Sequence, residues 1–334
     1  MKRFKDKELE IAVLTRNRSD ILEVFLEKQI KEIEGINAIL SIYDTSSNND
    51  TENIVKRYQN DGHKIIYDHG AYEKSIEDKY LDAILNSKAK YLWIMGDSNY
   101  MDIPLFSEKS YDSMMSGCEL IVAWNDSVSD REYDDVAELF ADCLWHMTWM
   151  GGLVFRRDIY KESVTIQTKN QIVDLAKTVK GSWYPSLGIL FEALIRRNRI
   201  NTKLISLKIH GLASVEKKQA WVSEAYKVWC KDLCLLVDCF ADSFGPTADR
   251  ATRVTWEKLG LDKGYWSCRF RASNSLNRQI FDEYDSKGYI NRVSQNRLRI
   301  KKWAYMPQLL AEGIYRIYKN YFLLKPCIKK LLKR

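Results

Sequence analysis

The chain has few of the residues that interrupt or cross-link a fold. Only 5 prolines occur in 334 residues, without any glycine- or serine-rich tract, which argues against long flexible linkers. The 7 cysteines are scattered and form no Cys-x-x-Cys pair, so neither a zinc site nor a disulfide framework is indicated. We expect reduced, mostly buried thiols in a cytoplasmic protein.

Long apolar runs and the common nucleotide-binding motifs are also missing. The first ten residues are charged and lack a following apolar h-region of the length that a signal peptide has, so we expect no signal peptide. No uncharged run approaches the roughly 18 residues that a membrane-spanning helix needs. The absence of Gly-x-Gly-x-x-Gly and of Gly-x-x-x-x-Gly-Lys-Ser/Thr excludes the dinucleotide fingerprint and the P-loop.

What is present is a globular composition, 46% hydrophobic and 29% charged, with an uneven distribution of charge. The net charge is +7, yet residues 291–334 hold 12 Lys/Arg and a single acid, Glu312. The residues before this tail are therefore slightly acidic as a group. A strongly basic tail indicates an anionic partner, either membrane lipid or nucleic acid.

Strands and helices are predicted to alternate through the first part of the chain. Apolar runs predict strands at 10–15, 36–43, 64–67 and 91–95. Amphipathic patterns predict helices at 21–34, 51–59 and 75–86. This alternation predicts βαβ units and a mostly parallel sheet. Ser19 or Asp20 is expected to cap the first helix.

Three of the predicted strands end on polar residues, Thr15, Asp44 and Asp97. Ligands bind at the carboxyl ends of strands in open α/β folds. Asp97-Ser98-Asn99 offers oxygen ligands, which suit Mg²⁺ or Mn²⁺ held partly by phosphates. The pattern indicates a metal-assisted enzyme that acts on a nucleotide diphosphate, although a strand followed by a polar turn would explain Asp97–Asn99 alone.

These motifs resemble those of family 2 glycosyltransferases. Residues 11–18, Ile-Ala-Val-Leu-Thr-Arg-Asn-Arg, are similar to the family's opening VxxPTYNR strand, with Leu14 in place of the proline. Residues 44–51 are similar to its DDGSxDxT strand end, and Asp97 and Asn99 occupy its two DxD positions. The resemblance covers about residues 9–215. It implies a GT-A fold, α/β with a mostly parallel central sheet flanked by helices.

The resemblance also implies roles for residues on the donor side. Thr15 and Arg16 would lie against the nucleotide base, and Asp44 would hydrogen-bond the base or the ribose. The residues that would face the metal and the diphosphate are Asp97, Ser98 and Asn99. A divalent cation bridging the phosphates would stabilise the charge that develops on the leaving group.

Two further residues have both a binding and a structural interpretation. Asp78 could bind the base or the donor sugar, or it could form a capping box with Ser75 at a helix start. His210 follows the last predicted strand and resembles a histidine found near the diphosphate or metal in many GT-A enzymes. A lone histidine is more often structural, so both interpretations of His210 stay open.

The catalytic base is the functional residue for which the sequence gives the weakest motif. An inverting transfer needs a carboxylate to take the acceptor proton. The family places an acidic pair where Ser186 and Leu187 stand here. Glu192, more than one helical turn further along, is the nearest acid, and Asp142 and His146 are the alternatives.

The alternation of strands and helices stops near residue 217. Residues 216–290 are predicted to form a helical subdomain for packing or homo-oligomerisation. Residues 291–334 interleave basic with aromatic and aliphatic residues, which is typical of an interfacial helix on an anionic membrane. A basic helix packed on its own domain is the alternative, and nucleic acid is disfavoured because no recognition motif is present.

Residues 1–215 are therefore predicted to form a GT-A glycosyltransferase domain of hexosyltransferase type. The predicted enzyme moves a sugar from a nucleotide-diphosphate donor, most simply a UDP-sugar, to a glycan or lipid-linked acceptor. It would use Mn²⁺ or Mg²⁺, invert the linkage, and act in bacterial surface-polysaccharide assembly at the inner face of the cell membrane.

Two other functions compete with this prediction. A sugar-phosphate nucleotidyltransferase is disfavoured because the glycine-rich N-terminal loop of such enzymes is absent. A catalytically degenerate GT-A fold that serves as a binding or scaffold partner is favoured by Asn99 and by the missing acidic pair.

Overall fold

A computed structural model of the protein describes residues 1–124, 129–163, 185–196, 200–207, 209–211, 224–261 and 263–331. The chain forms two compact units. The first contains the strands, and the second contains the helices after residue 224 together with the segment Phe140–Trp145.

The strands of the first unit are β1 (Leu9–Thr15), β2 (Ile39–Asp44), β3 (Ile65–His69), β4 (Tyr91–Gly96), β5 (Asn99–Met101), β6 (Leu120–Trp124), β7 (Arg131–Tyr133), β8 (Leu153–Arg156), β9 (Thr202–Ser206) and β10 (Ile209–Gly211). Eight of them form one sheet in the order β3-β2-β1-β4-β8-β6-β9-β7. β1 to β4 are parallel to one another, β6 is parallel to β9, and β7 and β8 are antiparallel to their neighbours. The sheet is therefore mostly parallel, as predicted.

The helices between these strands are α1 (Ser19–Gly35), α2 (Asp50–Asn60), α3 (Ile76–Asn86), α4 (Ile103–Met115), α5 (Val136–Met147), α6 (Arg157–Ser163) and α7 (Pro185–Ile195). The predicted elements up to β4 lie within three residues of the bounds in the structure. They are well predicted because each buries a regular set of apolar side chains, such as Leu22, Phe25 and Ile33 of α1.

The start of α1 differs from the prediction. Neither Ser19 nor Asp20 caps the helix: Arg18 is the N-cap residue and makes no side-chain cap hydrogen bond. The chain leaves β1 through Asn17, whose φ of 51° is left-handed. Asparagine tolerates that conformation because its short amide bonds locally, and here Asn17 Oδ1 accepts the Ser47 N–H at 2.9 Å. The helix starts at Ser19, two residues before the predicted start, and Arg18 lies in the turn between β1 and α1.

The central strand β4 is enclosed by aromatic packing. Trp93 is fully buried, its ring centroid lies 4.3 Å from that of Phe106, and its indole N–H donates to the Gly151 carbonyl at 2.8 Å. The buried Tyr91 hydroxyl lies 2.6 Å from the Cys118 carbonyl oxygen. Because the polar atoms of both rings are paired, their burial stabilises the strand without an unsatisfied donor.

The residues after β4 are also held in place. β5 pairs with β10 as an antiparallel ribbon, with His210 opposite Tyr100. The buried Gln29 of α1 accepts the Met101 N–H at 2.7 Å and donates to the Met101 carbonyl at 3.0 Å. The short loop between β4 and β5 is thus fixed at both ends.

The second unit is helical. After α8 (Ala225–Lys227) comes a π-helical turn (Val228–Asp232), and the helices that follow are α9 (Leu233–Asp238), α10 (Ala241–Phe244), α11 (Thr247–Lys258), α12 (Gly264–Ala272), α13 (Arg278–Ser286), α14 (Tyr289–Val293), α15 (Arg297–Ala304) and α16 (Gln308–Leu331). Its core surrounds the buried Tyr226, whose ring lies 5.7 to 6.0 Å from those of Trp256, Phe270 and Tyr284.

The long helix α16 packs one face on α12. The Tyr265 ring lies 5.7 Å from that of Tyr315 and 6.1 Å from that of Tyr318, and the Cys268 thiol contacts the Ala311 carbonyl at 3.2 Å. In the part of the chain that the structure describes, no helix is both long and apolar enough to cross a membrane.

A glycine in the first unit should tolerate no side chain. A Cβ on Gly152 would lie 2.4 Å from the His146 carbonyl oxygen and 3.1 Å from that of Trp149. Since both are backbone atoms that cannot rotate away, Gly152→Ala should lower the free energy of unfolding by about 1–3 kcal/mol, measured by urea denaturation.

The matched control is Gly313→Ala in α16. A Cβ there meets no atom within 4 Å, so the change should be neutral or should stabilise the helix by up to about 1 kcal/mol. Equal unfolding midpoints for the two variants would contradict the close packing at Gly152.

Candidate functional site

Three parallel strands end side by side at the centre of the sheet. In the register of β1 with β2, Thr15 pairs with Asp44. In the register of β1 with β4, Leu14 pairs with Gly96, which directly precedes Asp97. Thr15, Asp44 and Asp97 therefore share one edge of the sheet, and all three are buried.

Asp97 is held by two neighbouring side chains. The Thr15 hydroxyl donates to Oδ2 at 2.7 Å, and Arg18 Nη1 lies 3.1 Å from Oδ1. Burial raises the pKa of the Asp97 carboxyl, and the charge of Arg18 and the bond from Thr15 oppose that rise. A carboxylate with no solvent exposure is costly unless it is paired, so these contacts compensate part of the cost.

A buried lysine reaches the same strand end from α3. Lys79 Nζ donates to the carbonyl of Thr15 at 2.9 Å. Burial lowers the pKa of Lys79 to about 8, the nearby Arg16 adds to that shift, and the carboxylates of Asp44 and Asp97 oppose it. The Lys79 ammonium is thus a fixed positive charge behind the loop that follows β1.

Asp44 is fixed by the loop that follows β2 and by β3. Its Oδ1 accepts from the N–H of Ser46 at 2.8 Å and from the Ser46 hydroxyl at 2.6 Å. Its Oδ2 accepts from the Tyr67 hydroxyl at 2.8 Å. Burial, and next the bond to Asp44, raise the pKa of Tyr67, so the phenol keeps its proton and Asp44 keeps its donor. The carboxylate is held in one orientation.

Arg16 holds the connection between β3 and α3. Its Nε donates to Thr45 Oγ1 at 3.0 Å, and its Nη2 donates to the carbonyls of Tyr72, at 2.8 Å, and of Lys74. The guanidinium also lies 5.1 Å from the centroid of the exposed Tyr72 ring. The predicted contact of Thr15 and Arg16 with a nucleotide base stays a prediction.

Asp78 forms the capping box that the sequence left as an alternative. Its carboxylate accepts the Ser75 N–H at 3.0 Å, and the Ser75 hydroxyl accepts the Asp78 N–H at 3.1 Å. Asp78 is exposed and serves the start of α3, so its contact with base or sugar stays a prediction. Ser98 lies in the turn between β4 and β5, and Asn99 is the first residue of β5.

The candidate bases lie on two helices. Glu192, on α7, forms an ion pair with Arg196 of its own helix, and its side chain is 36% exposed. His146 is buried in the last turn of α5. Asp142 forms an ion pair with Arg250 inside the second unit. Of the three candidates, Glu192 has the most exposed side chain.

The described side chains do not by themselves fit a divalent cation. In this part of the chain, no group of three or more His, Cys, Asp or Glu residues is arranged to hold a metal. Oδ2 of Asp97 accepts from Thr15, Oδ1 is ion-paired with Arg18 without a hydrogen bond, and Asn99 offers an uncharged amide. The backbone of His210 lies in β10, and its side chain is outside the described residues. The predicted Mn²⁺ or Mg²⁺ stays a prediction.

Comparisons with known proteins identify the fold. No protein-family model matches the chain, and a search of curated proteins found no similar sequence. The structure is similar to that of residues 1–349 of S. aureus TarS, with a TM-score of 0.52 and 10% identity over 92% of this chain and 91% of that one. The chain has the GT-A fold. Its C-terminal helices follow the GT-A sheet.

A second solved structure covers a similar share of the chain. The mannosyltransferase PcManGT from Pyrobaculum calidifontis, in complex with GDP-Man and Mn²⁺, matches with a TM-score of 0.46 and 10% identity, over 95% of this chain and 89% of that one. At these identities the likeness concerns the fold alone, so the function has to be argued from the site.

Two residues of this GT-A site, Arg18 and Lys79, are not indicated by the sequence pattern. Arg18 closes the motif of residues 11–18, but nothing in that motif shows that the chain turns at Asn17 and brings the guanidinium to Asp97. Lys79 stands in a charged stretch of α3, where a lysine is normally exposed. Its burial depends on the packing of α3 next to β1.

The contribution of the Arg18–Asp97 ion pair to the free energy of unfolding should be measurable. Arg18→Ala leaves a buried carboxylate without its ion pair. Because the Arg18 side chain is 38% exposed, solvent screens part of the interaction. We expect a loss of about 1–2 kcal/mol in the free energy of unfolding, less than for a fully buried pair.

Asp97→Asn in the Arg18→Ala background should recover part of that loss, since an amide needs no counter-charge. Urea denaturation of the wild type, the two single variants and the double variant gives the coupling energy. A coupling energy near zero would contradict the ion pair.

Proposed function

We propose that the chain is a glycosyltransferase that moves a hexose from a nucleotide-diphosphate donor, a UDP-sugar in the simplest case, to a glycan or lipid-linked acceptor. The observation that best supports this proposal is the meeting of Thr15, Asp44 and Asp97 with Arg18 and Lys79 at the carboxyl edge of a GT-A sheet. Open α/β sheets bind their ligands at that edge. An inverting reaction and a place in bacterial surface-polysaccharide assembly belong to the same proposal, through the resemblance to family 2.

The charges at this edge suit a nucleoside diphosphate leaving group. As the bond between sugar and phosphate breaks, negative charge develops on the departing phosphate oxygens. Cationic groups that are already fixed stabilise this charge without reorganising. Lys79 is fixed at the Thr15 carbonyl and Arg18 at Asp97. Asp44, held in one orientation by Ser46 and Tyr67, is the residue that we propose as the acceptor of a hydrogen bond from the base or the ribose.

The acceptor needs a group that takes the proton of its attacking hydroxyl. We propose Glu192 for this, with His146 as the alternative. Glu192 is accessible and lies on α7, which packs against α3 of the same unit. Its ion pair with Arg196 would have to open for the carboxylate to reach the hydroxyl.

The tail helix supports a peripheral position on an anionic membrane. One face of α16 packs on α12, and apolar side chains outside that face are exposed. These exposed side chains are Leu309 (82%), Leu310 (53%), Ile317 (70%) and Tyr321 (53%). Exposed basic residues, among them Arg316 and Lys319, lie along the same helix. Apolar insertion flanked by positive charge fits an anionic bilayer at the inner face of the cell membrane.

One observation favours a different function, a GT-A fold without catalysis that binds a partner. Asn99 stands at a position where the family carries an acid, and no acidic pair stands at Ser186-Leu187. A protein of this kind would keep the folded strand ends and would bind no nucleotide. Nucleotide binding therefore separates the two proposals.

The donor site should be detectable by thermal stabilisation. We expect UDP, or another nucleoside diphosphate, to raise the unfolding temperature, because only the folded state has the site. The gain is about 2.7 kcal/mol at a ligand concentration of 100 Kd. A panel of nucleoside diphosphates, each with and without Mn²⁺, measured by differential scanning fluorimetry, identifies the base.

Asp44→Asn should reduce that thermal shift because it removes the charged acceptor. Asp112→Asn is the matched control, since Asp112 is exposed and pairs with Lys2 on the surface. A flat response of the wild type across the whole panel would favour the partner-binding function.

Membrane binding should depend on the exposed face of α16. Leu309→Gln with Ile317→Gln should weaken binding to phosphatidylglycerol vesicles at least about tenfold, because each exposed side chain contributes about 1 kcal/mol or more on insertion. Vesicle co-sedimentation measures this effect. Substitution tests the exposed face alone. Truncation at residue 291 would also remove residues of α15 and α16 that are buried, such as Ile300 and Ala311.

Ile66→Gln is the control, since Ile66 is also an exposed isoleucine, 55% accessible, on β3 of the first unit. Equal vesicle binding by the wild type and the α16 double variant would exclude this face as the membrane contact.

A further inference from the structure

Asp97, the residue expected to ligate a metal, is paired with protein side chains in this chain. Oδ2 of Asp97 accepts from Thr15, Oδ1 has Arg18 Nη1 at 3.1 Å as its ion-pair partner without a hydrogen bond, and the carboxylate has no solvent exposure. Its charge is thus already balanced by a guanidinium. Asn99, the second DxD position, brings no charge. Together these residues offer a dication little of the negative charge that usually holds it.

Positive side chains lie close to Asp97, the expected metal ligand. Arg18 is paired with Asp97, and the Lys79 ammonium lies 2.9 Å from the carbonyl oxygen of Thr15, the residue that donates to Asp97. The pairing of Arg16 with the carbonyls of Tyr72 and Lys74 adds a third cation at the end of β1. A divalent cation placed at Asp97 would be repelled by these groups. A phosphate dianion would be attracted by them.

We propose that the chain binds the diphosphate of its donor without a divalent cation, with the Arg18 guanidinium as the phosphate contact that stands in for the metal. Lys79 acts as a fixed positive charge behind it. This inference rests on the proposed glycosyltransferase function and specifies which side chains of the same site bind the diphosphate leaving group.

The geometry of Arg18 suits this purpose. Its side chain is 38% exposed, although its partner Asp97 is fully enclosed. A guanidinium carries five N–H donors in a planar fork, so one edge can stay on a carboxylate while another meets phosphate oxygens. Asp97 then acts as a positioning residue, because it holds the fork at the strand end before the donor arrives. A lysine at this position would supply a point charge without the fork.

The test is calorimetric titration of the full chain with UDP, and with the nucleoside diphosphate that stabilises it most, in EDTA and in Mn²⁺. We expect affinity in EDTA within about threefold of that in Mn²⁺. Arg18→Ala should weaken binding in EDTA by about tenfold or more, and Arg18→Lys should recover part of it. Arg57→Ala is the matched control, because Arg57 pairs with Glu23 on the surface and should leave the affinity unchanged.

The outcomes separate this inference from the proposed function. Binding in Mn²⁺ that EDTA abolishes would overturn the metal-free site and leave the glycosyltransferase standing. Binding in EDTA that Arg18→Ala does not weaken would overturn the assignment of Arg18. Absence of binding in EDTA and also in Mn²⁺ would overturn both this inference and the proposed glycosyltransferase function. If Arg18→Ala unfolds, the comparison of EDTA with Mn²⁺ on the wild type and the affinity of Arg18→Lys still decide the question.

Discussion

A carboxylate without solvent exposure, at the end of the central strand, is the group around which the first unit is arranged. Asp97 is tolerated there because Thr15 reaches it from β1 and Arg18 reaches it from the start of α1. Both contacts require β1 and β4 to be neighbours in one register. The aromatic packing of Trp93 keeps β4 in place on one side of this contact, and the bonds of Gln29 to Met101 keep the following loop in place on the other.

The other charged groups at this edge of the sheet are also held by paired contacts. Asp44 has its oxygens oriented by Ser46 and Tyr67, and Lys79 is fixed on a backbone carbonyl. Groups that are already paired and buried need little reorganisation when charge develops on a leaving phosphate, which is the condition for electrostatic stabilisation. The cost of such an arrangement is desolvation, and the pKa of Lys79 shows it directly, because burial holds it near 8.

The second unit is constrained differently. Its core is aromatic and packs around Tyr226, and α16 is attached to it through the rings of Tyr265, Tyr315 and Tyr318. This attachment uses one face of the helix, and the contact of the basic tail with a membrane stays a proposal. The helix packs on its own unit, as the structural alternative expected. The side chains of Leu309 and Ile317 on the same helix stay exposed.

The sequence by itself determined the alternation of strands and helices as far as β4, the polar strand ends at Thr15, Asp44 and Asp97, and the two-sided pattern of the tail, because periodicity and composition are properties of neighbouring residues. It also allowed the capping box of Ser75 and Asp78, which spans a single helical turn. Only the tertiary structure decided the order of the sheet, in which β8 lies antiparallel between β4 and β6. Likewise, only the structure showed that Arg18 meets Asp97 and that Lys79 is buried at Thr15. The physical reason is that these contacts join residues far apart in the chain, and their free energy depends on how completely the packed strands and helices exclude water from them.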